Sequence, residues 1–412
     1  MHKAHTFLVL CLVVCLPACA VLAPAPTPTP APTPTPTRYP TPLPLFATPS
    51  AFPTRPALQP GVYIPTCEPL DLPLYVPPAR PLPRLTPLPF TTPPALRDLA
   101  HARGLWIGST LHVNYLEDPD YAALLAREFN ILTPEMETRW DFIHPQPDVF
   151  DFTYADTVVA FAEANHMAVI GNSLVWEYNY PDWLTQAEHT REEWIHLLCT
   201  HVKTIVSHYR GHIFAWHVVN EAFEDDGSLR ENLWMRKIGP EYLAMAFHWA
   251  HEADPAPLLV YNDNAGEGLN VKSQAIYSLA QGLLQMGIPI HAIGMQLHIW
   301  LYGPPLPDDL AANMQRLADL GLQAHITELD VRLQYSPQGT STRLETQAEI
   351  YRQILSTCLA APNCNVFTTW GLTDRYSWIP WYTGYADAPL LFDEQGRPKP
   401  AYYAVIDLLR QP

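Results

Sequence analysis

The chain alternates between two kinds of segment from residue 95 onward, and this alternation restricts its fold more than any other feature. Short apolar runs of strand length are separated by longer amphipathic stretches of helix length. Eight runs have strand character: 105–109, 130–133, 168–174, 213–219, 258–262, 292–297, 323–327 and 365–370. Buried parallel strands joined by helices have this pattern, and eight strand–helix units predict a (β/α)8 barrel. A doubly wound open sheet alternates similarly, but no glycine-rich phosphate turn follows the first run.

The intervening stretches have helical periodicity. They cover 121–129, 156–166, 190–209, 241–251, 271–286, 308–320 and 342–359. Thr190 followed by Glu193 is typical of a capping box at a helix start, and Gly211 is a suitable stop. We therefore expect a single (β/α)8 domain over residues 95–412.

The first 94 residues are of another kind. Residues 1–19 have a basic Lys3 and an apolar stretch, Thr6–Leu16, that is too short to span a bilayer, which predicts an export signal. Residues 20–94 hold much of the proline, and residues 24–37 alternate Pro with Thr or Ala. Such a run lacks backbone donors and predicts an extended linker.

The predicted signal ends in Ala18-Cys19, which resembles a bacterial lipoprotein cleavage site with Cys19 as the lipidated residue. Plain secretion, with Cys19 as one more residue of the signal, remains the alternative. Either case places the protein outside the cytoplasm or anchored on the cell surface, with a membrane contacted only through the lipid. Beyond the signal lie Cys67, Cys199, Cys358 and Cys364, and an exported chain can oxidise them. Cys358 and Cys364 are close enough to close a short loop, whereas Cys67 and Cys199 have no obvious partners.

The net charge is −17, which argues against nucleic acid as a partner because phosphate backbones would be repelled. A neutral polysaccharide is compatible with it. We find no His, Asp and Cys cluster with metal-ligand spacing, so no metal or other cofactor is expected. We expect a monomer.

Two acidic residues stand out because they follow apolar strands. Glu221 ends the fourth predicted strand after Trp216-His217-Val218-Val219-Asn220, and Glu328 ends the seventh after Ile326-Thr327. Catalytic groups of these barrels lie where strands end, and a buried carboxylate needs a partner or a function. A structural ion pair at the barrel rim explains one such Glu as well as catalysis does, but it explains a facing pair poorly. Glycosidic cleavage requires two carboxyl groups flanking the bond.

The chain resembles glycoside hydrolase family 10, the endo-β-1,4-xylanase family, over roughly residues 100–410. Its ordered motifs carry the resemblance: Glu128-Phe129-Asn130 with Thr133-Pro134-Glu135, Leu174-Val175-Trp176, Val218-Val219-Asn220-Glu221, Asn262-Asp263, Gly294-Met295-Gln296-Leu297-His298, Ile326-Thr327-Glu328-Leu329-Asp330, Trp370-Gly371 with Asp374 and Ser377-Trp378, and Leu390-Leu391-Phe392-Asp393 with Lys399-Pro400-Ala401-Tyr402.

The resemblance implies that Glu221 is the acid/base and Glu328 the nucleophile of a retaining endo-1,4-β-xylanase. It implies that His298 hydrogen-bonds the nucleophile and that Cys358 and Cys364 form the short loop of the family. Further substrate-binding residues follow from the same motifs: Glu135, Arg139, Asn172, Trp176, Asn220, Gln296, Trp370 and Trp378.

Some positions depart from the family pattern. Met136 and Arg139 stand where an Asn and a Lys bind the sugar beyond the cleaved residue, and Asn172 replaces a His. Glu177 and His217 replace a His and an Asp. The reaction type is retained, while the sugar specificity stays open. The alternatives are the same chemistry on another β-glycan or glycoconjugate, and a carbohydrate-binding surface protein without catalysis.

Overall fold

The computed structural model describes residues 64–76, 94–178, 180–334 and 339–411. The predicted signal 1–19, Cys19 and most of the predicted linker lie outside the described residues.

Eight parallel strands close into a barrel, so the predicted fold class is confirmed. Neighbouring strands pair in the order β6-β5-β4-β3-β2-β1-β9-β8, and a further β6–β8 pairing closes the ring. The barrel strands are β1 Trp106–Leu111, β2 Ile131–Pro134, β3 Ala168–Val175, β4 Ala215–Asn220, β5 Leu258–Asp263, β6 Ala292–Met295, β8 Gln323–Arg332 and β9 Val366–Thr369.

The sixth predicted run is shorter in the structure than in the sequence pattern. Strand β6 ends at Met295, and the chain turns at Leu297, whose φ of 60° is left-handed. A short extra strand, β7 (His298–Trp300), then pairs in parallel with the end of β8, which continues to Arg332. Hydrophobicity alone predicts one continuous strand here because the turn residue is itself apolar. The turn places His298 above the barrel end.

Helices surround the barrel, and their bounds are α1 Leu96–Ala102, α2 Pro119–Glu128, α3 Trp140–Ile143, α4 Thr153–Ala164, α5 Asp182–Thr185, α6 Arg191–His208, α7 Leu233–Lys237, α8 Tyr242–Ala253, α9 Val271–Gln285, α10 Pro307–Asp319, α11 Thr340–Ala360, α12 Ile379–Thr383 and α13 Pro400–Leu409. The predicted capping box joins Thr190 and Glu193 at the start of α6. Within the described ranges no helix has the length and apolar character needed to cross a membrane.

The amino ends of the strands form an apolar plug inside the barrel. Trp106, Ile131, Ile170, Phe214 and Val260 are among its members, and each is at least nine-tenths buried. This plug closes one end, while polar side chains follow towards the carboxyl ends of the strands. A barrel of this type is therefore filled at the bottom and chemically equipped at the top.

Part of the stretch predicted as linker packs against the barrel helices. Cys67 is disulfide-bonded to Cys199 on α6, and its carbonyl oxygen accepts a hydrogen bond from Lys203 Nζ at 2.6 Å. Tyr75 is 4% exposed and donates its backbone N–H to the His208 carbonyl at 2.7 Å. Residues 64–76 thus form a strap over the outer helices, which no periodic pattern announces because it has no regular secondary structure. A second disulfide joins Cys358 to Cys364, the two cysteines expected to close a short loop.

Candidate active site

The two predicted catalytic carboxylates lie at the carboxyl ends of strands. Glu221 comes directly after β4 and has a φ of 55°, an uncommon value for a residue with a side chain. Its backbone N–H donates to the Asn262 carbonyl at 2.9 Å, which holds this strained turn in place. Glu328 lies inside β8 and is 4% exposed.

Side-chain amides connect the two carboxylates across the barrel end. Asn262 donates from Nδ2 to Glu328 Oε1 at 2.6 Å, and the same amide lies 2.9 Å from the Asn220 amide. Gln296 lies 3.1 Å from the Asn220 amide and donates to Glu221 Oε1 at 3.1 Å. Side chains from β4, β5, the end of β6 and β8 therefore connect the two carboxyl groups in one hydrogen-bond network.

Thr327 fixes the orientation of this network. Its hydroxyl donates to Asn262 Oδ1 at 2.8 Å, so the amide oxygen of Asn262 is occupied and its Nδ2 must face Glu328.

A histidine and an aspartate support Glu328 from the other side. His298 Nε2 lies 3.1 Å from Glu328 Oε2, and its Nδ1 lies 2.7 Å from Asp330 Oδ2. Trp378 Nε1 donates to the same Asp330 oxygen at 2.9 Å. Burial alone would lower the pKa of His298, but the carboxylates of Asp330 and Glu328 raise this pKa to about 10. The ring is thus an imidazolium that donates to both carboxylates.

An open cleft of about 1340 Å³ runs over these residues. Every predicted substrate-binding residue lines it together with both carboxylates: Glu135, Arg139, Asn172, Trp176, Asn220, Gln296, His298, Trp370 and Trp378. The cleft thus brings together side chains that are scattered over the sequence. No group of three or more metal-binding side chains occurs in the part of the chain that the structure describes.

One wall of the cleft is built after β2 and β3. The Arg139 guanidinium lies over the Trp176 ring at 4.7 Å. Burial raises the pKa of Glu135 to about 7, although Arg139 opposes this shift. Met136 lines the same wall. A cation, a carboxyl group, an aromatic face and a thioether therefore line this wall together.

Two of the departures from the family pattern have separate partners. His217 is fully buried and its Nδ1 lies 2.9 Å from Asn172 Oδ1. Glu177 instead forms an ion pair with Arg230 of the segment after Glu221. Neither His217 nor Glu177 is among the cleft-lining residues. The two charge changes therefore do not compensate each other, because each belongs to its own contact.

Sequence reasoning missed several residues of the site. Asn262, which bridges Asn220 and Glu328, belonged to a recognised motif, and its place at the end of β5 was a usable signal. Arg332 lies between the rings of Trp300 and Trp378, at 5.1 and 4.8 Å. Arg332 was concealed because β8 extends beyond its apolar run, and Trp300 because β7 was not predicted.

Comparison with known proteins agrees with this geometry. Residues 95–408 match the family model described as Glycosyl hydrolase family 10. The chain belongs to glycosyl hydrolase family 10. This membership confirms the family and the enzyme class expected from the motifs.

The match with individual family 10 relatives extends over most of the length of each relative. The chain is 44% identical over 322 residues to endo-1,4-beta-xylanase B of Thermotoga neapolitana, covering 77% of this chain and 92% of the relative. It is 37% identical to a beta-1,4-xylanase of Dictyoglomus thermophilum, covering 71% and 86%. Among solved structures, xylanase 10B of Thermotoga petrophila in complex with xylobiose aligns with a TM-score of 0.75 at 42% identity, covering 78% of this chain and 98% of that one.

Proposed function

We propose that the protein is a retaining endo-1,4-β-xylanase that hydrolyses xylan by double displacement. Family 10 membership and the named relatives support the xylanase predicted from the sequence. The observation that carries the proposal is the linked pair of Glu221 and Glu328 in the cleft, joined through Gln296, Asn220 and Asn262.

In the first step Glu328 attacks the anomeric carbon while Glu221 gives its proton to the departing glycosidic oxygen. The C–O bond to the leaving sugar breaks, and an ester between Glu328 and the glycone forms. Hydrogen bonds from Asn262 to Oε1 and from His298 to Oε2 hold the attacking carboxylate in position. The shorter chain leaves with its new hydroxyl group.

In the second step Glu221, now ionised, takes a proton from water, and the water oxygen attacks the anomeric carbon. The ester breaks, Glu328 is released as a carboxylate, and the product keeps the β configuration. Gln296 donates to Glu221 Oε1 at 3.1 Å and keeps this carboxyl group over the reacting centre in both steps.

Three measurements on the purified protein test this function. Xylan should give short oligosaccharides, while mannan and β-glucan assayed in parallel should give far less product. Proton NMR should detect the β-anomer of the product first. A fluorinated β-xyloside should label Glu328, and the Glu328→Gln variant should stay unlabelled. Initial release of the α-anomer, or label on another carboxyl group, would contradict the mechanism.

We also propose that the protein acts as a monomer outside the cytoplasm, held to a membrane through a lipid on Cys19. The two disulfides support an oxidising compartment. Metabolic labelling with palmitate in a bacterial host should mark the wild type and not Cys19→Ser, and light scattering should give the monomer mass. Release of an unlabelled, full-length wild type into the medium would favour plain secretion.

A further inference from the structure

The wall of the cleft formed by β3 has one amide whose polarity is set from below. Asn172 is 3% exposed, lines the cleft, and accepts through Oδ1 at 2.9 Å from His217. Its Nδ2 group has no hydrogen-bond acceptor within residues 64–76, 94–178, 180–334 and 339–411. The Asn172 side chain therefore lines the cleft with an Nδ2 group that donates to none of the described residues.

The backbone of Asn172 is held independently of its side chain. Thr138 Oγ1 donates to the Asn172 carbonyl at 2.5 Å and accepts from the Asn172 N–H at 3.0 Å. The position of the residue is thus fixed by Thr138, and only the orientation of the amide is left for His217 to decide.

The surroundings of His217 select one tautomer. His217 Nε2 is buried without a hydrogen-bond partner in the described part of the chain. An orphaned buried N–H is rarer and more costly than an orphaned lone pair, so the proton belongs on Nδ1. Burial, together with His325 nearby, lowers the pKa of His217 to about 3, so the ring is neutral at working pH.

His325 cannot reverse this choice. Its Nε2 lies 2.8 Å from Gln323 Oε1, which only accepts, so His325 carries its proton on Nε2. The remaining lone pair on His325 Nδ1 makes no hydrogen bond with His217 Nε2, because neither atom has a partner among the described residues. The other titratable and charged groups of the site, Glu221, Glu328, His298 and Arg139, lie along the cleft above, and none is hydrogen-bonded to His217.

We propose that His217 is a positioning residue that, through its Nδ1–H donor, turns the Asn172 amide so that Nδ2 donates to a hydroxyl oxygen of the glycone sugar. This proposal rests on the proposed glycosidase function and names one contact within it. At this point the site would then bind a sugar oxygen that accepts a hydrogen bond and reject a group that can only donate one.

The test exchanges hydrogen-bond polarity at constant shape. His217→Asn places an N–H₂ donor near the position of Nδ1, whereas an ionised carboxylate in His217→Asp offers only acceptors there and favours the flipped Asn172 amide. We expect kcat/KM on xylo-oligosaccharides to be at least about 10-fold lower for the Asp than for the Asn variant, chiefly through kcat. His217→Leu, which provides no donor, should resemble the Asp variant.

A double-mutant cycle separates positioning from general damage to the barrel. In an Asn172→Ala background the Asn and Asp variants should differ by less than about 2-fold, because the amide that His217 orients is gone. Equal activities of Asn and Asp in the parent background, with equal melting temperatures, would overturn the proposal. So would an undiminished difference between them in the Ala background.

A measurement on the wild type keeps the proposal falsifiable if the buried variants do not fold. Neutron diffraction from deuterated crystals should locate deuterium on His217 Nδ1 and on Asn172 Nδ2 facing the cleft. Deuterium on His217 Nε2 would overturn the proposal. A wild type that folds but cleaves no xylan would instead contradict the proposed function, so the two failures are distinguishable.

Discussion

Two histidines, one lining the cleft and one behind its wall, have opposite charge states. His298, beside the nucleophile, lies between Glu328 and Asp330, and its pKa is raised to about 10. His217, behind the wall of the cleft formed by β3, contacts the Asn172 amide, and its pKa is lowered to about 3. His217 is fully buried and the His298 side chain is only 15% exposed, so burial opposes the charged form of each. The neighbours decide the outcome: two carboxylates overcome burial, and one amide does not.

The difference separates two tasks within one site. In the proposed mechanism the attacking oxygen of Glu328 must be held in a fixed direction. An imidazolium that donates to two carboxylates provides a stiff, charge-assisted support for it. At the wall formed by β3 the proposed task is to recognise a neutral sugar hydroxyl. The neutral pair of His217 and Asn172 orients the amide there without adding a net charge. Replacing one arrangement by the other should therefore impair either chemistry or recognition.

The largest effect should come from removing the charge that the imidazolium supports. Glu328→Gln cannot form the glycosyl-enzyme ester, so kcat on xylan should fall by roughly four orders of magnitude or more. The matched control is Glu192→Gln on the exposed face of α6, which should turn over xylan at the parental rate. Activity of Glu328→Gln within 10-fold of the parent would remove Glu328 from the mechanism.

Asp330→Asn should make the His298 environment more like that of His217. Breaking this buried pair is expected to lower kcat/KM by about 100-fold. Because the pKa of His298 is raised, its charged form is present below pH 10 and is lost as pH rises through about 10. Without Asp330 the pKa of His298 falls, so the titration of His298 followed by NMR should move to lower pH.

The control for this variant is Asp308→Asn, at an exposed position on α10, which should leave the titration of His298 in place. An unshifted titration of His298 in Asp330→Asn would show that the imidazolium does not depend on this carboxylate.

Asn172→Asp should make the His217 environment more like that of His298. A carboxylate 2.9 Å from Nδ1 favours the imidazolium, so the pKa of His217 should rise from about 3. The Nδ2 donor to the sugar is lost at the same time, and kcat/KM should fall roughly 10- to 100-fold. Histidine titration followed by NMR measures the first effect; a pKa of His217 that stays in place would break the comparison.

The smallest effect is expected from Trp378→Phe, which keeps an aromatic ring but removes the donor to Asp330 Oδ2. Loss of one hydrogen bond should reduce kcat/KM about 5-fold. In the Asp330→Asn background the same change should add little, because the shared partner is already altered. Full additivity would mean that Trp378 acts through sugar stacking alone.

Much of the architecture follows from the sequence because it depends on periodic burial. Eight alternating apolar strands and amphipathic helices indicate a (β/α)8 barrel, and the ends of those strands direct attention to Glu221 and Glu328 among the acidic residues. The ordered motifs identify the family and name Trp176, Gln296 and His298 as cleft residues. These inferences need only local spacing, since strand ends meet at one face of any such barrel.

Tertiary structure alone decided the contacts between residues that no spacing relates. The pairing of His217 with Asn172, and of Glu177 with Arg230, depends on which neighbouring strands and loops face each other. The strap is likewise invisible in sequence, because an aperiodic, proline-rich segment is held by a disulfide between Cys67 and Cys199 and by hydrogen bonds to α6. The charge states of His298 and His217 also depend on tertiary structure, because the carboxylates or the amide beside each ring help to decide its pKa.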